Sequence, residues 1–520
     1  MINSFQINSN KFTVPDRIRK IRLAQLFWLV IILNLAGLFS MLMVRDGPNP
    51  AYIAWIIYLT GAALIVYQPR IGLYLILFFS LIGDNVMLPW YPFNKGFSSY
   101  ESLFYLSRLL IFSPLEIYIL LTIASWFLRG LMLRNFKIKT GGLFKIAVVF
   151  LCFVTAGLIY GLATRGNFNI ALWQVRPLFY MVMMIFLASN LLENRAQISN
   201  LMWWAMLGLF IKAIVGNINY FIVLMGSLNV ASMTEHATPI QLNTIFIFAI
   251  AVWLYKSSWP KKLFLPLMIP IVLITWLASQ RRAAMIALII GLALFAIIMF
   301  REHRRLFWLI IPPIVCLFAI YVLAFWNSSS TQALPAQAIK SVISPGSVSA
   351  RDRSSDIYRY IENFDLWFTM RQKPFTGIGF GQPFYLPIPL PDISWFVWWQ
   401  YYPHNSIIWI WLTTGVGGFM TMLVLLGSAI IKGLKVFLDL PSSELKAVAL
   451  TATLYIVMHF IFAYVDISWD IQSMLYIGTM IGLIDCLESV AATPLEIKYS
   501  RYQWQSTSRP AAELVPLSEE

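Results

Sequence analysis

The chain has 520 residues, of which 59% are hydrophobic and only 12% charged, with a formal net charge of +15. Continuous apolar runs of about 20 residues, the length that spans a bilayer as a helix, recur along it. That composition excludes a soluble enzyme, and continuous rather than alternating apolar runs exclude a β-barrel. Lys and Arg cluster beside the apolar runs, so the positive charge reads as topology-setting and not as a nucleic-acid surface.

The fold expected is an all-α polytopic membrane protein of about 14 transmembrane helices, with 12 as the lower bound, that meets the lipid bilayer along most of its length. Residues 1–22 are polar and basic and read as a cytoplasmic tail. The first apolar run exceeds the length of a signal-peptide core and lacks a small-residue cleavage pattern, so it should stay as an anchor. Residues 23–326 hold eleven expected spans, at 23–44, 51–67, 71–89, 110–128, 145–162, 169–191, 198–218, 239–255, 263–280, 283–300 and 306–326. Three more follow within 405–489, at 405–431, 446–464 and 471–488. With the N-terminus inside, the cytoplasmic connections collect Arg129, Lys256, Lys261, Lys262, Arg301, Arg304, Arg305, Lys432 and Lys435, while the short outer connections are poor in cations. Both termini are then cytoplasmic, and 490–520, rich in Pro, Ser and mixed charge, reads as disordered.

One connection breaks the run of short turns. The loop 327–404 is outer and far longer than a helical hairpin requires, which marks it as functional or as an inserted small domain. Within it, Ile357, Tyr360, Ile361, Phe364, Trp367 and Phe368 recur at helical spacing and predict an amphipathic helix over 353–371, lying against the membrane surface or the bundle. Next come the glycines of TGIGFG (Gly377, Gly379, Gly381), which read as turn residues because neither a strand before nor a helix after them suits a nucleotide loop. Trp395, Phe396, Trp398, Trp399, Tyr401 and Tyr402 follow as an interfacial belt or a sugar-stacking platform.

Few side chains could carry chemistry. Cys152, Cys316 and Cys486 are far apart and offer neither disulfide framework nor metal site, and DxD, HExxH, GxSxG and a Walker lysine are all absent. Arg281 and Arg282 occupy either the tip of a tight outer hairpin or a helix break, on the side where cations are disfavoured unless an anion meets them; arginine's forked donors suit phosphate. Arg176 lies well inside the sixth span beside Pro177, facing the bundle interior, with Asp84 or Glu116 as a structural partner if it is not a ligand site. Lys212, in the outer half of the seventh span, is long enough to snorkel. His404 stands where the long loop re-enters the membrane, between Pro403 and Asn405, and its imidazole can accept a hydroxyl proton. His236, in a short outer loop, is a second candidate without further support; His303 belongs to a cytoplasmic basic cluster and His459 to a span.

SQRRAAMIALIIG, DRSSDIYRYIENFDLWF, KPFTGIGFGQPF and PHNSIIWIWLTTGVGGF, in that order around a long outer loop, together resemble the O-antigen ligase and polymerase family of bacterial membrane glycosyltransferases. The resemblance spans residues 278–419 and implies a fold like the type C glycosyltransferases, in a bacterial inner membrane. It implies a polyprenyl-diphosphate-linked saccharide as donor, a saccharide or lipid-linked saccharide as acceptor, and surface polysaccharide or exopolysaccharide as product, with no cofactor and no metal. Carried over by residue, Arg282 or Arg281 and Arg176 would hold the diphosphate and His404 would be the base, with Arg353, Asn405 and Lys212 in support. The alternative is a transporter of a small anion such as bicarbonate, with Arg176 and Lys212 along its path; it requires polar groups reaching both faces.

Overall fold

The computed structural model describes residues 14–492 apart from 134–137, 228–231, 329, 345, 347–349, 393–395 and 397. The expected disordered tail beyond residue 492 and Trp395 of the aromatic cluster lie outside the described residues.

The described regular structure is helical. In chain order it comprises α1 (Val14–Asp46), α2 (Pro50–Tyr67), α3 (Pro69–Ile82), α4 (Pro114–Met132), α5 (Gly142–Ala163), α6 (Phe168–Leu191), α7 (Arg195–Ile218), α8 (Thr238–Leu254), α9 (Trp259–Ala278), α10 (Arg282–Glu302), α11 (Arg304–Ala324), α12 (Leu334–Ile343), α13 (Ala350–Gln372), α14 (Ser406–Asp439), α15 (Glu444–Val465) and α16 (Ile471–Ala492). Twelve helices are long and apolar enough to cross a membrane, and α3 and α8 are shorter apolar helices. Each of the fourteen spans expected from sequence overlaps one of these described helices, though the expected 71–89 ends early, at Ile82, and the expected 110–128 begins only at Pro114. The protein is an all-α, multi-pass membrane protein.

Local chemistry sets the helix ends. Ser113 caps α4 by accepting from the Glu116 amide at 3.3 Å, and the Glu116 carboxylate reaches back to the Ser113 amide, a reciprocal pair that fixes where the span begins. Asn405 caps α14 by accepting from the Ile408 amide at 3.0 Å. α6, α15 and α16 are the most enclosed long spans, and α16 packs along α6. Gly478 makes that approach possible, because a Cβ there would lie 2.4 Å from the carbonyl oxygen of Met181.

At one end of the bundle, Lys446 holds Glu302 at 2.6 Å, Lys261 pairs with Glu444, and Lys432 holds Asp485 at 2.6 Å. The start of α8, the α9–α10 turn, the start of α14 and the α15–α16 turn gather at the opposite end, together with the long loop.

That loop is a packed layer containing α12 and α13. Leu366, Met370, Ile378, Phe384, Leu390, Ile408 and Leu412 form its own apolar core and clamp α13 to the first turns of α14. The expected helix over 353–371 is present as α13, with its faces opposite to a bundle-packing helix. Ile357, Tyr360, Phe364, Trp367 and Phe368 are exposed, while Glu362, Asp365 and Thr369 are buried. Most of the apolar stripe points outward, as a helix on a membrane surface would have it, while Ile361 is half-buried and the inner face combines those polar side chains with Leu366 and Met370. The TGIGFG glycines are turn residues: Gly379 has φ +84°, and a Cβ there would lie 2.5 Å from the backbone of Gly161 on α5.

Candidate functional site

The α9–α10 connection is a hairpin of minimal length. Gln280 takes a left-handed conformation (φ 56°), and Arg281 is the backbone cap of α10, with its carbonyl accepting from Ala284 at 3.2 Å. The geometry projects both arginines into the loop layer at the end where α13, α14 and α15 also present polar side chains.

Arg282 grips Asp356 of α13 with both arms of its guanidinium, at 2.8 and 3.4 Å. Arg281 faces Asp466, just past the end of α15, at 3.6 Å and donates to the Ser232 hydroxyl at 3.0 Å. Arg359 lies between the two acids, 3.9 Å from Asp356 and 3.9 Å from Asp466. Asp356, Arg359 and Glu362 recur at three-residue intervals along α13 and so share its inner face.

The two histidines complete the group. His404 Nδ1 lies 3.1 Å from Glu362, which also accepts the His404 amide at 3.0 Å, so one buried carboxylate fixes both backbone and ring. Tyr358 meets the His404 ring edge-on at 5.6 Å. His236 Nδ1 lies 2.5 Å from Asp466, and the two imidazoles are 6.0 Å apart, centroid to centroid. Asp466 is 1% exposed and the His236 ring 34%. Burial raises the Asp466 carboxyl, but His236 and then Arg281 and Arg359 outweigh it and hold the group well below the usual carboxylate range. Desolvation lowers His236 below the ordinary histidine value, Arg281 lowers it further, and Asp466 only partly offsets them. The resting pair is therefore a carboxylate beside a neutral imidazole.

Such a site can neutralise an anion and accept a proton. Asp356 is 40% exposed, so a phosphate can take its place on the Arg282 fork. One ring nitrogen of each histidine and a carboxylate oxygen of Asp466 lie within 4.8 Å of one another, a spacing that would also admit a cation. The guanidiniums of Arg281 and Arg359 crowd that carboxylate and oppose one electrostatically.

Residues 267–423 match the O-antigen ligase family. The match supports membership of the O-antigen ligase and polymerase family, and with it a membrane glycosyltransferase of that general type. It takes in Arg281, Arg282, Asp356, Arg359, Glu362 and His404, and leaves His236 and Asp466 outside. No curated protein matches this chain.

The structure thus brings Arg281, Arg282 and His404 together, and each of the other expected site residues is held by partners of its own. Arg176 pairs with Glu116 at 3.2 Å and donates to the Ile111 carbonyl at 3.3 Å, with Trp173 against its guanidinium at 4.6 Å. Glu116 is also bonded by the Tyr180 hydroxyl. Arg176 faces a separate, apolar cavity of about 280 Å³ between α4, α5 and α6. Lys212 does not snorkel: it is fully enclosed, donating to Gln241 at 2.8 Å and Gln472 at 2.9 Å. Asn405 is a buried helix cap that also bonds Asn363, at 2.8 Å, and Arg353 is exposed and donates to the Gly346 carbonyl. Glu362, Asp356, Arg359 and Asp466 went unread in the sequence. The first three were legible as the polar stripe opposite the apolar positions of α13; Asp466 carries no local signal.

Proposed function

We propose that the chain transfers a saccharide from a polyprenyl diphosphate to a sugar hydroxyl at the outer face of a bacterial inner membrane, as a polysaccharide polymerase or ligase, with both termini cytoplasmic. The observation that carries this reading is the bidentate Arg282–Asp356 pair, open to solvent on its Asp356 side, within the same cluster as a carboxylate-held His404.

The donor's diphosphate displaces Asp356 and sits on Arg282, with Arg281 and Arg359 beside it. An acceptor hydroxyl oxygen attacks the anomeric carbon, whose bond to the phosphate oxygen breaks with its electron pair, and the hydroxyl proton passes to His404 Nε2. Glu362, holding Nδ1, stabilises the imidazolium. Direct displacement inverts the anomeric carbon. Charge grows on the departing diphosphate, where fixed cations contribute about 3 kcal/mol each and serve in place of a metal ion. The Glu116-paired Arg176 gains no support from this geometry as a ligand of the same diphosphate. Lys212, enclosed by two glutamine amides, gives the anion-transport reading no open path.

The test is polysaccharide output in cells carrying Arg282→Lys or His404→Ala at unchanged membrane abundance. Loss in both supports transfer, and full output from both rejects it.

A further inference from the structure

His404 is not the only imidazole built into the site. The short segment carrying His236 is pinned from below by Asp84, which accepts the Glu235 amide at 2.9 Å and the Thr238 hydroxyl at 2.6 Å. Glu235 is in turn held by Asn85 and by Gln472, the latter at 2.8 Å. These partners, of which Asp84 and Gln472 are buried, set the segment that carries His236 at the mouth of the site.

The protonation pattern follows from the partner. Asp466 accepts from Nδ1, so in the neutral ring Nδ1 bears the hydrogen and Nε2 keeps its lone pair. His404 has the same arrangement on Glu362. The two imidazoles therefore form two His–carboxylate dyads, 6.0 Å apart, each with an acceptor nitrogen outside its carboxylate bond.

We propose that His236 is a second proton acceptor of this site, aimed by Asp466, and that it takes the proton of an acceptor hydroxyl in parallel with His404. This rests on the saccharide-transfer reading. The hydroxyl oxygen forms its bond to the anomeric carbon, the electrons of the breaking bond leave with the diphosphate, and the proton goes to Nε2 of either ring. Asp466 is shared with Arg281, 3.6 Å away. When a diphosphate draws Arg281 toward itself, the carboxylate's charge is shared between His236 and Arg359 only, and the ring becomes more basic as the donor arrives. The charged and titratable groups facing His236 are Asp466, Arg281 and His404, with Arg359 behind Asp466 and Glu235 next in the chain.

The experiment uses the full-length protein in nanodiscs and the lipid-linked saccharide that accumulates in cells lacking it, with products sized on a gel. His404→Ala and His236→Gln each keep part of the initial rate, roughly half where the two routes are equal, and the double variant falls by roughly 100-fold or more. The residual kcat/KM of His404→Ala, which reports the enzyme before the donor binds, persists as the pH falls through about 6.5, the free imidazole midpoint, because His236 is still neutral there; a merely structural His236 would not produce that profile. A His236→Gln variant at the wild-type rate overturns the proposal, as does a His404→Ala variant no more active than the double. A rate abolished by chelator and restored by zinc overturns it in favour of a metal centre. If Arg282→Lys and His404→Ala also transfer at the wild-type rate, the transfer reading itself fails; if they lose activity and His236→Gln does not, only the second acceptor fails.

Discussion

Asp466 holds His236 Nδ1 at 2.5 Å with one carboxylate oxygen while its other oxygen faces the Arg281 guanidinium at 3.6 Å. One buried charge therefore serves both an anion-binding side chain and a proton-accepting one. Arg281, Arg359 and His236 around it are cationic or can become so, and they keep it ionised far into the acid range.

Arg282 should discriminate sharply between conservative changes. Its two contacts to Asp356 use the planar fork, which lysine lacks. Arg282→Ala is expected to lower the transfer rate by about 10²- to 10³-fold and Arg282→Lys by about 10-fold, the values for losing and for weakening one electrostatic donor. Initial rates with lipid-linked donor measure this, and equal rates for Arg282→Lys and wild type would show that the fork is not used.

Glu362 is expected to act through His404 alone. It is 2% exposed and bonds both the amide and Nδ1 of His404. Glu362→Gln retains the shape but removes the charge that stabilises an imidazolium, so the rate should fall as far as that of His404→Ala, to roughly half, and no further, while donor KM changes little. A variant whose loss lies wholly in KM would place Glu362 in donor binding instead.

The spans were legible because each buries or faces lipid along an unbroken apolar run, and runs of that length leave little choice of structure. Arg281, Arg282 and His404 were legible as polar groups at the ends of such runs. Their partners were not, because pairing across 74 residues (Arg282 to Asp356) or 230 (His236 to Asp466) is set by tertiary packing with no sequence period. α13 shows the limit most clearly. Its helical spacing was evident, but which face turned inward depended on lipid or solvent taking the apolar side, and the polar stripe that completes the site was passed over. Arg176 shows the converse, since depth and a neighbouring proline marked it out, yet its charge is matched by Glu116.

Gly379 ties the long loop to α5, and any side chain there meets backbone. With φ +84° and a Cβ position 2.5 Å from Gly161, Gly379→Ala combines left-handed strain with a clash that no rotamer relieves. Destabilisation of at least about 2 kcal/mol is expected, read as a lower thermal midpoint and as increased proteolysis within 376–390. An unchanged midpoint would show that this turn yields.

Glu235 offers a pH signature independent of activity. Burial raises its carboxyl most, with Asp84 and Asp470 adding to it, and the group is pushed up to about 8 from an ordinary value of 4.5. The folded protein therefore keeps a proton that the unfolded chain has released. That contribution to stability is fully present below pH 4.5 and is lost as the pH rises toward 8. Glu235→Gln keeps an uncharged partner for Asn85 and Gln472 at every pH, so its thermal midpoint should decline less than that of the wild type between pH 5 and pH 8, by about 2 °C or more. Midpoints of the full-length protein in detergent, followed by intrinsic tryptophan fluorescence across that range, measure the difference. Parallel curves for the two proteins would mean that Glu235 is ionised at neutral pH, and the buried group holding His236 from below would then carry a full negative charge.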